Sequence, residues 1–130
     1  MTDVVLLVAR LLLGVPFIVW GVMKLRGGDA SLVPVLAKMV MPDAKFLAFM
    51  VGLCEFVGGV GVVLGYPART VGVLLALWCL TTALVMQRKH LESLLSHLTM
   101  AGGFVMLAAV GAGKWSLFGG APSGIFAYLP

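Results

Sequence analysis

Residues 4–23 read VVLLVARLLLGVPFIVWGVM, an apolar run of twenty residues that contains one charged side chain. A helix of about 20 residues is long enough to cross the ~30 Å hydrocarbon core of a bilayer. The preceding Met1-Thr2-Asp3 has no basic segment, and no small-residue cleavage site follows the run, so a cleaved signal peptide is not expected. We therefore predict that residues 4–23 form a retained first membrane span.

Three further apolar runs follow, at residues 46–64, 70–87 and 94–110. The chain is 62% hydrophobic and 11% charged, with a mean hydropathy of +1.13. A soluble domain of 130 residues cannot bury that much apolar surface, and a soluble bundle would need polar outer faces that the second and third runs lack. The sequence therefore predicts an all-α fold: one integral membrane four-helix bundle over residues 1–130, with antiparallel neighbours across its short connections.

The connection between spans one and two predicts a further, short element. Asp29-Ala30-Ser31 offers helix-capping side chains, apolar residues follow at near-helical spacing, and Pro42 ends the stretch. We predict a short interfacial helix in the headgroup region there. The tail from 111 to 130, with Trp115 and Tyr128, is expected at the opposite interface.

The basic residues predict the orientation of the chain in the membrane. Two lie in connections reached after an even number of spans, Arg69 and Lys114, whereas six follow an odd number: Lys24, Arg26, Lys38, Lys45, Arg88 and Lys89. Because cytoplasmic loops are enriched in Lys and Arg, we expect an inner (plasma) membrane protein with both termini outside, in the periplasm of a bacterium. No stripe of basic residues could follow a phosphate backbone, so nucleic acid is not an expected partner.

Arg10, Glu55 and His97 are polar residues inside predicted spans. A charge at the bilayer centre costs about 2.5–3.5 kcal/mol on insertion scales, so these side chains are expected to face the bundle interior. Aligning the span midpoints predicts an ion pair between Arg10 and Glu55. Two interpretations remain open: a pair that only fixes helix register, or a midplane pocket in which Glu55 and His97 pass protons or hydrogen-bond a quinone-like carbonyl.

Glycines mark the expected helix contacts. They lie on the same helical stripe as Arg10, on the stripe of Glu55, and in a GxxxG pattern at the end of the second run, where small residues let backbones approach closely. The predicted packing residues are Gly14, Gly21, Gly52, Gly59, Gly61 and Gly65.

The two cysteines are predicted to be buried and to serve in packing rather than in chemistry. Cys54 and Cys79 lie near the centres of two spans and are not in a C-x-x-C motif. Together with two separated histidines they do not match the ligand spacing of zinc, haem or iron–sulfur sites, so no metal site is predicted.

The order of several motifs resembles the DoxX family of small bacterial and archaeal membrane proteins. These motifs are Arg10-Leu-Leu-Leu-Gly14, Gly21-Val-Met-Lys24, Glu55-Phe-Val-Gly-Gly59, Gly65-Tyr-Pro-Ala-Arg69, His97-Leu-Thr-Met-Ala-Gly102-Gly103 and Gly111-Ala-Gly-Lys114-Trp-Ser116-Leu117. The resemblance implies a four-helix membrane bundle. In some archaea such a protein is a subunit of a thiosulfate:quinone oxidoreductase, and some bacterial members are linked to a membrane complex that handles oxidative stress with a superoxide dismutase and a sulfurtransferase. His97 replaces the asparagine usual in the family, and Phe118 stands where the family often has aspartate.

We expect a DoxX-like membrane subunit of a quinone-linked, oxidative-stress or sulfur redox complex, non-catalytic alone and at most part of an oxidoreductase. Its implied partners are the lipid bilayer, redox-protein subunits and further copies of itself, and quinone is the cofactor to consider. Two alternatives stay open: a structural or assembly protein, and a binder or carrier of a small hydrophobic molecule.

Overall fold

The computed structural model describes residues 1–26, 44–85 and 91–115. These residues form four helices and no strand: α1 (Thr2–Leu25), α2 (Ala44–Leu64), α3 (Ala68–Val85) and α4 (Leu91–Val110). The predicted all-α fold is confirmed. The interfacial helix predicted between Asp29 and Pro42, and the tail beyond Trp115, lie outside the described residues.

Three of the four helices are long and apolar enough to cross a membrane: Thr2–Leu25, Lys45–Leu64 and Leu91–Val110. The remaining apolar helix, Ala68–Leu84, is shorter. Large hydrophobic side chains cover the outside of the bundle, as Leu12 (72% exposed), Leu74 (60%) and Met106 (63%) illustrate. Such a surface is stable in lipid, which is as apolar as the side chains themselves.

The helices pack as two pairs, α1 on α2 and α3 on α4, with smaller contacts between the pairs. Phe17 of α1 joins the pairs at the centre, because its ring lies edge-on to that of Phe104 in α4, with 5.2 Å between centroids. Val62 of α2 and Cys79 of α3 belong to the same core and are fully buried. The core therefore lies where all four helices meet.

Two pairs of glycines fix the register of α1 against α2. A Cβ atom added at Gly14 would lie 2.8 Å from the carbonyl oxygen of Gly59, and one added at Gly21 would lie 2.7 Å from that of Gly52. Within each helix the two glycines are seven residues apart, about two helical turns: Gly14 and Gly21 in α1, and Gly52 and Gly59 in α2. Both contacts can therefore form at once. The predicted stripe of α1 is its buried face, which consists of Arg10, Gly14, Phe17 and Gly21.

The GxxxG pattern serves the turn between α2 and α3. Gly65 has φ +78°, its N–H bonds to the carbonyl of Val62, and the Tyr66 N–H bonds to the carbonyl of Gly61. These two hydrogen bonds form a Schellman motif, in which a glycine in the left-handed backbone conformation ends the helix. Gly65 therefore ends α2 rather than packing at a helix crossing. Gly61 packs beside the turn and against Val71 of α3.

Candidate functional site

Glu55 is the acidic centre of the bundle and is 5% exposed. Lys24 Nζ donates to its Oε2 at 2.5 Å, and the indole N–H of Trp78 donates to its Oε1 at 3.1 Å. The three side chains come from α1, α2 and α3. Both carboxylate oxygens are therefore engaged, and the group joins three helices.

The predicted ion pair between Arg10 and Glu55 is wrong, because Glu55 pairs with Lys24 instead. The glycine contacts place Gly14 beside Gly59, and hence Arg10 beside position 63 of α2. That position is eight residues from Glu55, about 12 Å along the helix at 1.5 Å per residue. Aligning the span midpoints missed this offset, which the glycine contacts determine.

Arg10 lies in a second, separate polar site. Its side chain is 1% exposed, and its Nη2 donates to the backbone carbonyl of Trp115. Its Nε and Nη1 atoms are buried and have no hydrogen-bond partner among the residues that the structure describes. A buried charged group with unmatched donors is costly, so this arrangement calls for a further acceptor.

Residues 111–115 fold back over the start of α1. Gly111 and Gly113 have φ of +88° and +79°, a left-handed conformation that favours glycine. The N–H of Lys114 donates to Asp3 Oδ1 at 3.0 Å, and a Cβ atom at Gly111 would lie 3.3 Å from Arg69 Nε. We call this region, formed by the start of α1, the α2–α3 turn and residues 111–115, the Arg10 end.

His97 is half-buried in α4, and its Nδ1 lies 2.7 Å from the carbonyl oxygen of Ser93. Because a carbonyl only accepts, Nδ1 carries the proton, which leaves Nε2 as an acceptor in the neutral ring. Within the described residues His97 makes no hydrogen bond to Arg10 or Glu55. The three predicted residues therefore do not form one hydrogen-bonded cluster.

Sequence reasoning missed Lys24 and Trp78 as partners of Glu55. Lys24 continues the stripe of Gly14 and Gly21, which is a signal that it points toward α2. Trp78 lies inside an apolar run, and a buried indole N–H needs an acceptor. Placing Gly14 and Gly21 of α1 against Gly59 and Gly52 of α2, with the two helices antiparallel, would have brought Lys24 near Glu55.

The cysteines divide between the core and the outer surface. Cys79 is fully buried, as predicted, whereas Cys54 is exposed on the outside of α2, which corrects its predicted burial. In the described ranges, no group of three or more His, Cys, Asp or Glu residues could hold a metal ion.

The chain is similar to one family of membrane proteins and to two inner membrane proteins of a bacterium. The family model DoxX matches residues 5–88. Inner membrane protein YqjF of Escherichia coli (strain K12) is 33% identical over 120 residues, which cover 88% of this chain and 90% of that protein. Inner membrane protein YphA of the same organism is 27% identical over 125 residues, covering 88% and 89%. No solved structure matches the chain significantly.

Proposed function

This chain belongs to the DoxX family of membrane proteins, and on that premise we propose that it is a non-catalytic subunit of a redox complex in the inner membrane. The redox part of the proposal rests on the resemblance described above, which implies a complex linked to quinone, to sulfur compounds or to oxidative stress. The chain itself would supply a fixed membrane framework to which catalytic subunits attach.

The state of Glu55 carries the non-catalytic part of this proposal. A carboxylate that relays protons must release one partner to take up the next. Glu55 has both oxygens engaged, and releasing Lys24 would leave an ammonium group in a side chain that is only 14% exposed. The geometry therefore favours a structural role for Glu55.

The ring of His97 supports a second role, the binding of a quinol. Its Nε2 accepts rather than donates while the ring is neutral, and a quinol hydroxyl is a donor. Exposed apolar residues flank it on α4, including Leu95 and Leu98, so an isoprenoid tail would lie in the surrounding lipid. This site would make the chain a binder of a small hydrophobic molecule within the complex.

Purification in mild maltoside detergent tests both roles. We expect redox-protein subunits and, under reducing conditions, quinol to copurify with the wild-type chain. His97→Phe should lower quinol retention roughly 2- to 10-fold, as expected for the loss of one hydrogen bond, at an unchanged melting temperature. Thr99→Val is the matched control, because the hydroxyl of Thr99 already bonds to the carbonyl of Leu95 in its own helix.

The outcomes separate the alternatives. Copurification of proteins without redox activity would replace the redox subunit with an assembly role. Equal quinol retention by wild type and His97→Phe, or none by either, would remove the quinol site.

A further inference from the structure

The Arg10 end of the bundle carries an excess of positive charge. Arg10, Arg69 and Lys114 are there, and Asp3 is the acidic residue beside them. The other two acids of the described ranges are remote, because Glu55 pairs with Lys24 and Glu92 lies in the first turn of α4, at the opposite end. The side chains that the structure describes therefore leave a net charge of about +2 at this end, which favours a bound anion.

Arg10 provides the donors for such an anion. The Nε and Nη1 atoms together carry three N–H groups, all buried and without an acceptor among the described residues. The carbonyl of Trp115, which Nη2 contacts, is neutral and leaves the charge uncompensated. An anion with several oxygens would satisfy the donors and the charge together, whereas a neutral carbonyl would satisfy donors alone.

Arg69 extends the site toward the surface. Its guanidinium lies beside Gly111, four residues before the carbonyl that Arg10 contacts, and the residue is half-buried. Thus two guanidinium groups reach the same short segment, one inside the bundle and one nearer solvent.

The register of α1 and α2 sets the depth of the site. Gly14 lies beside Gly59 and Val63, and α2 ends at Leu64, so Arg10, one turn earlier in α1, is level with the end of α2. Measured against α2, Arg10 therefore lies toward this end of the bundle, although α1 continues for a further eight residues, about 12 Å, to its start at Thr2. A phosphate group of lipid or of the aqueous phase would reach it from this side.

We propose that the Arg10 end binds a phosphate group, held by Arg10 and Arg69. A guanidinium fork matches phosphate oxygens and binds them through charge-assisted hydrogen bonds. The phosphate belongs either to the headgroup of an anionic phospholipid or to a free inorganic ion. This site is independent of the proposed contact with quinol at His97.

The test uses the full chain purified in maltoside, a detergent without phosphate. Native mass spectrometry measures retained phosphatidylglycerol after incubation with that lipid, and melting temperatures are compared in sodium phosphate and in sodium chloride at equal ionic strength. Arg10→Gln and Arg69→Gln should each weaken binding about tenfold or more, since a hydrogen bond to a charged group is lost. Arg26→Gln is the matched control, because it removes an exposed arginine at the opposite end.

Each outcome bears on the proposal. Retention of phosphatidylglycerol that is lost in both site variants but kept in Arg26→Gln supports the lipid source. A melting temperature raised by phosphate but not chloride, with the same dependence on the variants, supports the free ion. Arg69→Gln keeps the test valid if Arg10→Gln fails to fold. The proposal is overturned if wild type binds neither, or if the Arg69 and Arg26 variants behave alike.

Discussion

Lys24 and Glu55 show how a membrane interior accommodates charge. Either side chain alone would be costly there, but the pair is neutral as a whole, and the indole of Trp78 occupies the second carboxylate oxygen. The arrangement is therefore sensitive to the loss of one partner and much less sensitive to the loss of both.

Glu55→Ala should destabilise the protein by about 3–5 kcal/mol, because it leaves the Lys24 ammonium largely buried without its counter-ion. Combining it with Lys24→Met, which keeps most of the apolar stem, should recover a large part of that loss. Unfolding free energies in detergent for the two single variants and the double variant measure the coupling.

A second cycle serves as the control. Arg10→Met and Glu55→Ala should be additive to within about 0.5 kcal/mol, since the two sites share no partner. Coupling between Arg10 and Glu55 that equals the coupling between Lys24 and Glu55 would contradict the separation of the two polar sites.

At the scale of the helix, backbone contact between α1 and α2 determines which polar side chains meet. Gly21 lies against both the carbonyl of Gly52 and the backbone nitrogen of Phe56, at 2.7 and 2.6 Å from an added Cβ. Neither neighbour is the flexible end of a side chain, so the pair of helices cannot accept even a methyl group without moving apart.

Gly21→Ala should therefore lower stability by roughly 1–3 kcal/mol through overpacking. Gly102→Ala is the matched control, because nothing lies within 4 Å of a Cβ atom there and the residue is exposed. Alanine is the better helix former, so this variant should be neutral or slightly stabilising. Melting temperatures in one detergent compare them, and an equal loss in both would show that the glycine contact does not fix the register.

The sequence predicts the helices of this protein better than their mutual register. Apolar runs near 20 residues long, with polar interruptions, locate α1, α2 and α4 closely, because burial in lipid depends on composition and length. Register depends on which small residues meet, and the two glycine pairs carried that information. Arg10 and Glu55 could be recognised as buried from residue type alone, whereas their partners Trp115, Lys24 and Trp78 depend on the register.

At the scale of the whole molecule, the structure removes Lys24 from the loop charges that predict the orientation of the chain. Lys24 is engaged by Glu55 inside the bundle, and Arg10 is buried at the Arg10 end. In the sequence, the connections after odd-numbered spans still carry more basic residues, namely Arg26, Lys38, Lys45, Arg88 and Lys89, than those after even-numbered spans, namely Arg69 and Lys114. The imbalance continues to favour a cytoplasmic location for the first group.

Cysteine labelling at two exposed basic residues, Lys114 and Arg26, measures the orientation of the chain in the membrane. The Lys114→Cys variant should react with a membrane-impermeant maleimide in cells whose outer membrane lets the reagent through and whose inner membrane is intact. The Arg26→Cys variant should react only after the inner membrane is broken. The wild-type chain is the background control: Cys79 is fully buried, and Cys54 lies on the outside of a membrane helix, where a charged reagent does not reach in lipid. The reverse labelling pattern would put both termini and the Arg10 end in the cytoplasm. The proposed phosphate would then come from the cytoplasmic leaflet or the cytosol, while the helix contacts and the Lys24–Glu55 pair would be unaffected.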